Sequence, residues 1–189
     1  MLEAFFLFLI LVATYFVEYS YQVWLLFGLG LLVVVPGVVA MFSTGAPCVS
    51  TTKKRLRNIL TLSDLQGDET VYDLGSGYGS VVRAVADFGV RKVIGFELSF
   101  PAYLYSKVRS ILFSKKEVVS FANFWRKDLS KADVLICFLS DKAMLRFKVD
   151  VWPLLKKGTK IISNDFELPA VKADKVKERV YLYVKKIID

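Results

Sequence analysis

The stretch Val71-Tyr72-Asp73-Leu74-Gly75-Ser76-Gly77-Tyr78-Gly79-Ser80 decides how the rest of this 189-residue chain is read. A short apolar run ends at an acidic residue, and three glycines follow at alternate positions. A strand over 70–74 therefore enters a tight turn, where glycine permits positive φ and lets backbone N–H groups approach a ligand closely. Residues 80–88 then read as a helix closed by Gly89. In an open α/β sheet such a strand, turn and helix hold a ligand beyond the carboxyl end of the strand.

Outward from that motif the same alternation continues. Residues 92–97 read as a second strand ending in Glu97, and 101–113 as a helix with Pro101 in its first turn. Strands follow at 118–122 and 132–139, then a helix over 141–155 interrupted near Trp152-Pro153. A strand over 159–163 and a last strand over 180–184 complete the pattern. Strands alternating with helices predict an α/β fold, a Rossmann-like doubly wound, mostly parallel sheet spanning 67–189.

The loop chemistry narrows the ligand. A phosphate-cradling P-loop ends in Gly-Lys-Ser/Thr, which is absent. A dinucleotide fingerprint needs glycine at its sixth position, where Ser80 stands. Asp73 would repel a pyrophosphate but complements a ligand that carries an ammonium and no phosphate. S-adenosylmethionine is such a ligand, zwitterionic at one end and cationic at sulfur. Glu97, at the end of the second strand, is placed to accept its ribose hydroxyls. The expected cofactor-binding set is therefore Asp73, Gly75, Ser76, Gly77, Gly79 and Glu97.

The rest of the composition is lopsided. Hydrophobic residues make up 54% of the chain and mean hydropathy is +0.45, yet the net charge is +8. All 26 basic residues follow residue 52, whereas Glu3 and Glu18 precede it, so residues 53–189 carry +10. That excess favours an anionic partner, but no long basic tract singles out nucleic acid. The chain has no histidine and two cysteines, Cys48 and Cys137. A Ser-His-Asp triad, a histidine base and a histidine metal site are excluded, and no metal site is expected. Cys137 lies in an apolar run and reads as a small buried hydrophobe.

Residues 23–42, VWLLFGLGLLVVVPGVVAMF, are twenty without a charge, enough for about 30 Å of helix, the thickness of a hydrocarbon core. Residues 2–17 are apolar but shorter. The expectation is an N-terminal transmembrane hairpin, 1–43, with helices at about 2–17 and 23–42 and lipid bilayer as its partner. A first helix lying in the membrane interface is the rival. Lys53, Lys54, Arg55 and Arg57 follow the second span, which predicts an integral membrane protein with its domain on the cytoplasmic side. Residues 44–66 read as a linker and an amphipathic helix, 51–62, lying along the membrane surface.

Residues 71–97 resemble motifs I and II of the class I (seven-β-strand) methyltransferases. The resemblance implies an adenine contact at Asn123, in Ala122-Asn123-Phe124-Trp125, with Phe124 packing on the adenine ring. Over 45–189, the segments GAPCVST, DLGSGYG, GFELS, NFWRKDLSKADVLICFL, SNDF and VYLYV resemble one subgroup more closely. It comprises the protein lysine methyltransferases that modify mitochondrial ATP synthase c subunit and adenine nucleotide translocase, with their small prokaryotic relatives. Tyr78 stands where that subgroup usually has Asp, and Ser50 and Thr52 where it often has Pro.

The implied activity is a membrane-anchored, S-adenosylmethionine-dependent methyltransferase whose substrate is a protein lysine at or near the membrane. A small-molecule or lipid substrate is the alternative, followed by RNA or DNA, since Phe138-Leu139-Ser140-Asp141 replaces an Asn-Pro-Pro-Tyr type motif. The carboxyl ends of the fourth and fifth strands should supply the substrate pocket, from Phe138, Leu139, Ser140 and Asn164. Asp165 is the candidate general base.

Overall fold

The computed structural model describes residues 8, 12, 21–44, 51–112 and 118–186. The chain divides into two units, Met1–Val35 and Pro36–Asp189. A 24-residue helix, α1 (Tyr21–Thr44), belongs to the N-terminal region. Among the described residues no helix is long and apolar enough to cross a membrane. The expected hairpin, 1–43, is only partly covered by the described residues. Its first arm, 2–17, lies outside the described residues apart from Phe8 and Val12. Its second, 23–42, falls within α1, of whose side chains only some are described.

The larger unit is a seven-stranded sheet in the order β3-β2-β1-β4-β5-β7-β6. Its strands are β1 (Thr70–Leu74), β2 (Lys92–Glu97), β3 (Val118–Phe121), β4 (Val134–Cys137), β5 (Lys160–Asn164), β6 (Lys175–Lys177) and β7 (Val180–Val184). The first five pair in parallel, and β7 runs antiparallel between β5 and β6. Side chains alternate across the sheet, as strand geometry requires. Val71, Val134, Ile136, Ile162, Val180 and Leu182 face one core, and Tyr72, Leu74, Leu135, Cys137, Ile161 and Tyr183 the other.

Helices cover both faces. α2 (Lys53–Ser63) and α3 (Ser80–Phe88) deliver Ile59, Leu62, Val81, Val82 and Val85 to the first core. α5 (Asp141–Asp150) delivers Ala143, Met144 and Phe147 to the second. α4 (Phe100–Leu112) packs along β3. α2 corrects an expectation. The helix expected to lie on a membrane with its apolar face has that face buried in the domain, leaving Lys53, Lys54 and Arg57 outward. Thr52 caps it by accepting the Arg55 N–H at 3.3 Å.

Two further differences have local causes. The helix expected over 141–155 ends at Asp150, and a 3₁₀ turn, Trp152–Leu154, takes over where Pro153 cannot donate to a continuing helix. β6 was not expected at all. Its residues, Lys-Val-Lys, are all exposed, and its two-residue connection to β7, Glu178-Arg179, contains neither Asn nor Gly. Both turn residues nonetheless have positive φ, 49° and 63°, as a type I′ hairpin demands.

Candidate functional site

The parallel register brings the carboxyl ends of β1, β2, β4 and β5 to one edge, pairing Leu74 with both Phe96 and Cys137, and Cys137 with Ser163. The glycine loop leaves β1 at that edge. Gly75, Gly77 and Gly79 have φ of 82°, 53° and 76°, and Gly79 stands in the left-handed region at the N-terminus of α3. These are conformations that side chains resist, which explains the alternate glycines. The Gly75 and Ser76 N–H groups both donate to the Phe96 carbonyl at 3.0 Å, fastening the loop to β2. Among the described residues, nothing beyond its chain neighbours lies within 4 Å of where a Gly77 side chain would begin, so the loop is open on that side.

Gly95 is the hidden partner of the loop. A methyl there would come within 2.6 Å of the Ser76 side chain and of Val82. Glycine at 95 thus lets the loop and α3 lie flat on β2. Ser106, fully buried on α4, donates its hydroxyl to the Gly77 carbonyl at 3.3 Å, and Arg83 donates to the Tyr78 carbonyl at 2.6 Å. Gly95, Ser106 and Arg83 all went unassigned in the sequence. Only the glycine, opposite Asp73 in the register, offered a signal.

Asp73 is 5% exposed, and its Oδ2 has no hydrogen-bond partner among the described residues. Burial, assisted by the nearby Glu97 charge, pushes its carboxyl up to about 7. The Ser76 hydroxyl is likewise buried without a partner among the described residues. A buried carboxylate in this state is costly unless something cationic joins it. Orphaned Asp73 beside an open glycine turn therefore fits an ammonium-bearing ligand, and S-adenosylmethionine carries one.

Glu97 is placed differently from the expectation in one respect. Its Oε2 accepts the Gly77 N–H at 2.6 Å, and its Oε1 accepts those of Leu98 at 2.9 Å and Ser99 at 2.6 Å. The carboxylate first holds the loop to the end of β2. Acceptor capacity for a ribose hydroxyl remains, because a carboxylate has about four acceptor directions. Asn123 caps the 3₁₀ turn Phe124–Arg126 by accepting the Trp125 N–H at 3.1 Å.

Three expected positions have surroundings that differ from the expectation. Phe124 is 1% exposed and packs in the second core against Trp125, with ring centroids 4.6 Å apart, so no open ring face remains for an adenine. Leu139 is 0% exposed and belongs to the same core rather than to a pocket wall. Asp165 is held by two guanidinium groups. Arg55 from α2 donates to its Oδ1 at 3.2 Å, and Arg179 from the hairpin tip pairs with the same oxygen. The Arg55 hydrogen bond, then that of Arg179, holds its carboxyl below the usual carboxylate range. A carboxylate so stabilised is a poor proton acceptor, and the structure makes it a tie between α2, β5 and β7. Arg55, read from sequence only as a topology signal, is the residue that carries that tie.

The remaining pocket residues stay at the edge. Phe138 follows β4 and lies 5.8 Å from Phe166, which follows β5, and both are half-buried. Ser140 precedes α5 without capping it through its side chain. Asn164 is buried, accepts from Arg55 at 3.2 Å, and its Nδ2 has no partner among the described residues.

This geometry agrees with what the chain resembles. Residues 73–175 match the model of the ANTKMT methyltransferase domain. A protein-lysine N-methyltransferase of Saccharolobus islandicus is 31% identical over 154 residues, covering 73% of this chain and 92% of that protein. An RNA methyltransferase from Salinibacter ruber, solved with S-adenosyl-L-homocysteine, superposes with a TM-score of 0.67 at 24% identity, over 75% of this chain and 97% of that one. A ribosomal protein L11 methylase from Lactobacillus delbrueckii superposes with a TM-score of 0.56 at 15% identity, over 70% and 79%. At those identities the two structures speak for the fold alone. With the family match and the orphaned Asp73 together, the chain belongs to the ANTKMT methyltransferase domain family and is an S-adenosylmethionine-dependent methyltransferase.

Proposed function

We propose that the chain methylates lysine side chains of proteins at a membrane, working from the cytoplasmic side. The observation that carries the protein substrate is the likeness to the Saccharolobus islandicus protein-lysine N-methyltransferase, of which this chain spans 92%. Membrane attachment rests on the sequence of 23–42, which has no charge, inside the 24-residue helix α1, and on the basic residues that follow it.

In this reading Asp73 pairs with the ammonium of the cofactor, the 75–79 backbone follows its length, and Glu97 accepts from its ribose. When bound, S-adenosylmethionine supplies a methyl group on a sulfonium, ready for direct displacement. Alignment of nucleophile and methyl is the main contribution left to the protein, and it is worth roughly 7–11 kcal/mol of barrier. The nucleophile must be a neutral amine. Phe138 and Phe166 give it an apolar approach, which lowers the pKa of an entering lysine, and water takes the proton. Asp165, already ion-paired, takes no part in that transfer.

The test is incubation of the full chain with methyl-labelled S-adenosylmethionine and separated membrane and soluble fractions. Label recovered as methyl-lysine from membrane-fraction proteins is the expected result. Label in the lipid extract, in small molecules or in RNase-sensitive material overturns the protein-lysine reading. Methyl-lysine confined to soluble proteins overturns the membrane part alone.

A further inference from the structure

α4 is built inside out. Its buried residues are the small ones, Ala102 and Ser106, which let it lie close against the sheet. Its large apolar residues face outward: Phe100, Leu104, Val108, Ile111 and Leu112 are between 46% and 72% exposed. The first four fall at spacings of four, four and three, the period of one helix face. A surface helix of a soluble domain turns such a stripe inward, and a helix with an apolar outer face has something to cover it.

The stripe continues onto the sheet. Phe121 at the end of β3 is half exposed and meets the Phe100 ring edge-on at 5.7 Å. On its other side Tyr105 meets Tyr78 of the glycine loop at 5.3 Å, so the patch borders the cofactor site. Lys107, exposed, shares the outer face of α4. The far edge of the sheet is treated in the opposite way. β6 presents Lys175 and Lys177 around a single valine, a pattern that keeps an edge in water.

From this we infer that the outer face of α4, with Phe121, is a membrane-docking surface that seats the domain on an anionic bilayer. A lipid surface is the occupant that suits all three observations. Phenylalanine and leucine on an outer helix face, with a lysine beside them, suit a helix that lies in the headgroup region. The domain carries +10, which an anionic leaflet attracts. The uncharged stretch 23–42 holds the domain beside a bilayer, and here the inference rests on the attachment proposed above. Docked in this way, the glycine loop and the carboxyl ends of the strands open beside the headgroups, where a membrane protein presents its flanking lysines.

The experiment uses the full chain with Cys48→Ser, bearing a fluorophore at one position introduced by Leu104→Cys, Ile111→Cys or, as control, Val176→Cys on β6. Buried Cys137 does not react under these conditions. Each labelled protein, checked for retained cofactor binding, is mixed with vesicles containing phosphatidylserine and spin-labelled quencher lipids and floated on a gradient. The expected result is flotation of all three, with quenching at positions 104 and 111 at least threefold stronger than at 176. Flotation with equal quenching at all three overturns the docking surface while leaving membrane attachment intact. Flotation with disulfide cross-linking between two copies of unlabelled Cys48→Ser, Leu104→Cys protein assigns the face to a second copy and also overturns it. Absence of flotation removes the attachment reading itself, and the inference with it.

Discussion

The carboxyl ends of β1 and β5 each present an aspartate to the same edge of the sheet, and the two meet opposite fates. Asp73 is buried with an unsatisfied oxygen, and its carboxyl is pushed up to about 7. Asp165 is held by Arg55 and Arg179 and pushed down. One is kept incomplete and the other is complete within the chain. The difference teaches where a ligand belongs, since a buried polar group without a partner is costly and persists only where something else supplies the partner.

The strongest way to break this comparison is Asp73→Ala. Cofactor affinity should fall at least about 100-fold, the loss expected when one partner of a buried ion pair is removed. The melting temperature of the ligand-free protein should not fall. Calorimetric titration with S-adenosylhomocysteine and a thermal melt measure the two, and unchanged binding would remove Asp73 from the site.

The next effect is the pH response, which should have opposite sign at the two positions. Asp73 has a folded pKa raised above its unfolded value of 3.8. The stability it contributes is present below about pH 4 and is lost as pH rises through 7, a change of roughly 2–4 kcal/mol. Asp165 has a lowered folded pKa, so its contribution is present above the unfolded value and lost as pH falls. Denaturant unfolding of the parent and of Asp73→Asn from pH 4.5 to 8 checks the first. The parent should lose ground to the variant as pH rises, and a gain contradicts the burial argument.

Gly95→Ala sharpens the comparison on the β1 side. With contacts of 2.6 Å to Ser76 and Val82, the added methyl should cost about 1–3 kcal/mol and weaken cofactor binding by displacing the loop. A variant with parental stability and affinity would show that the loop lies less tightly on β2 than described. The smallest effect is expected at the other aspartate. Asp165→Asn should lower stability by about 1 kcal/mol and change methyl transfer by less than twofold. A general base would cost about 100-fold or more, so steady-state rates distinguish the two roles.

What was legible in the sequence follows from how local each signal was. The β1 loop could be read because Asp73 and three glycines lie within seven residues, and each is demanded by backbone conformation or charge on the spot. The helices and the parallel strands could be read because their apolar periods are strong. Gly95 and Ser106 could not be assigned, because their roles depend on how closely α3 and α4 approach the loop. The ion pairs of Asp165 could not be read for the same reason. Its partners lie 110 residues before it and 14 after it, and no pattern near it announces them. Phe124 and Leu139 sit at the positions where resemblance and topology expect ligand contacts, but three-dimensional packing turns both inward. β6 was missed because a three-residue edge strand between lysines buries nothing.

The tip of the last hairpin has a consequence for anyone redesigning this protein. Exposed turns between strands are usually where a fold accepts an inserted tag or a longer loop. Here Glu178 reaches back to Lys54 at 3.0 Å and Asn58 at 3.2 Å on α2, and Arg179 holds Asp165. Both residues keep a left-handed backbone that costs roughly 1–2 kcal/mol apiece. Replacing them with Asn-Gly would relax the turn and remove these polar ties to α2 and Asp165 at one stroke. The hairpin tip is a clasp, and an insertion there would open it.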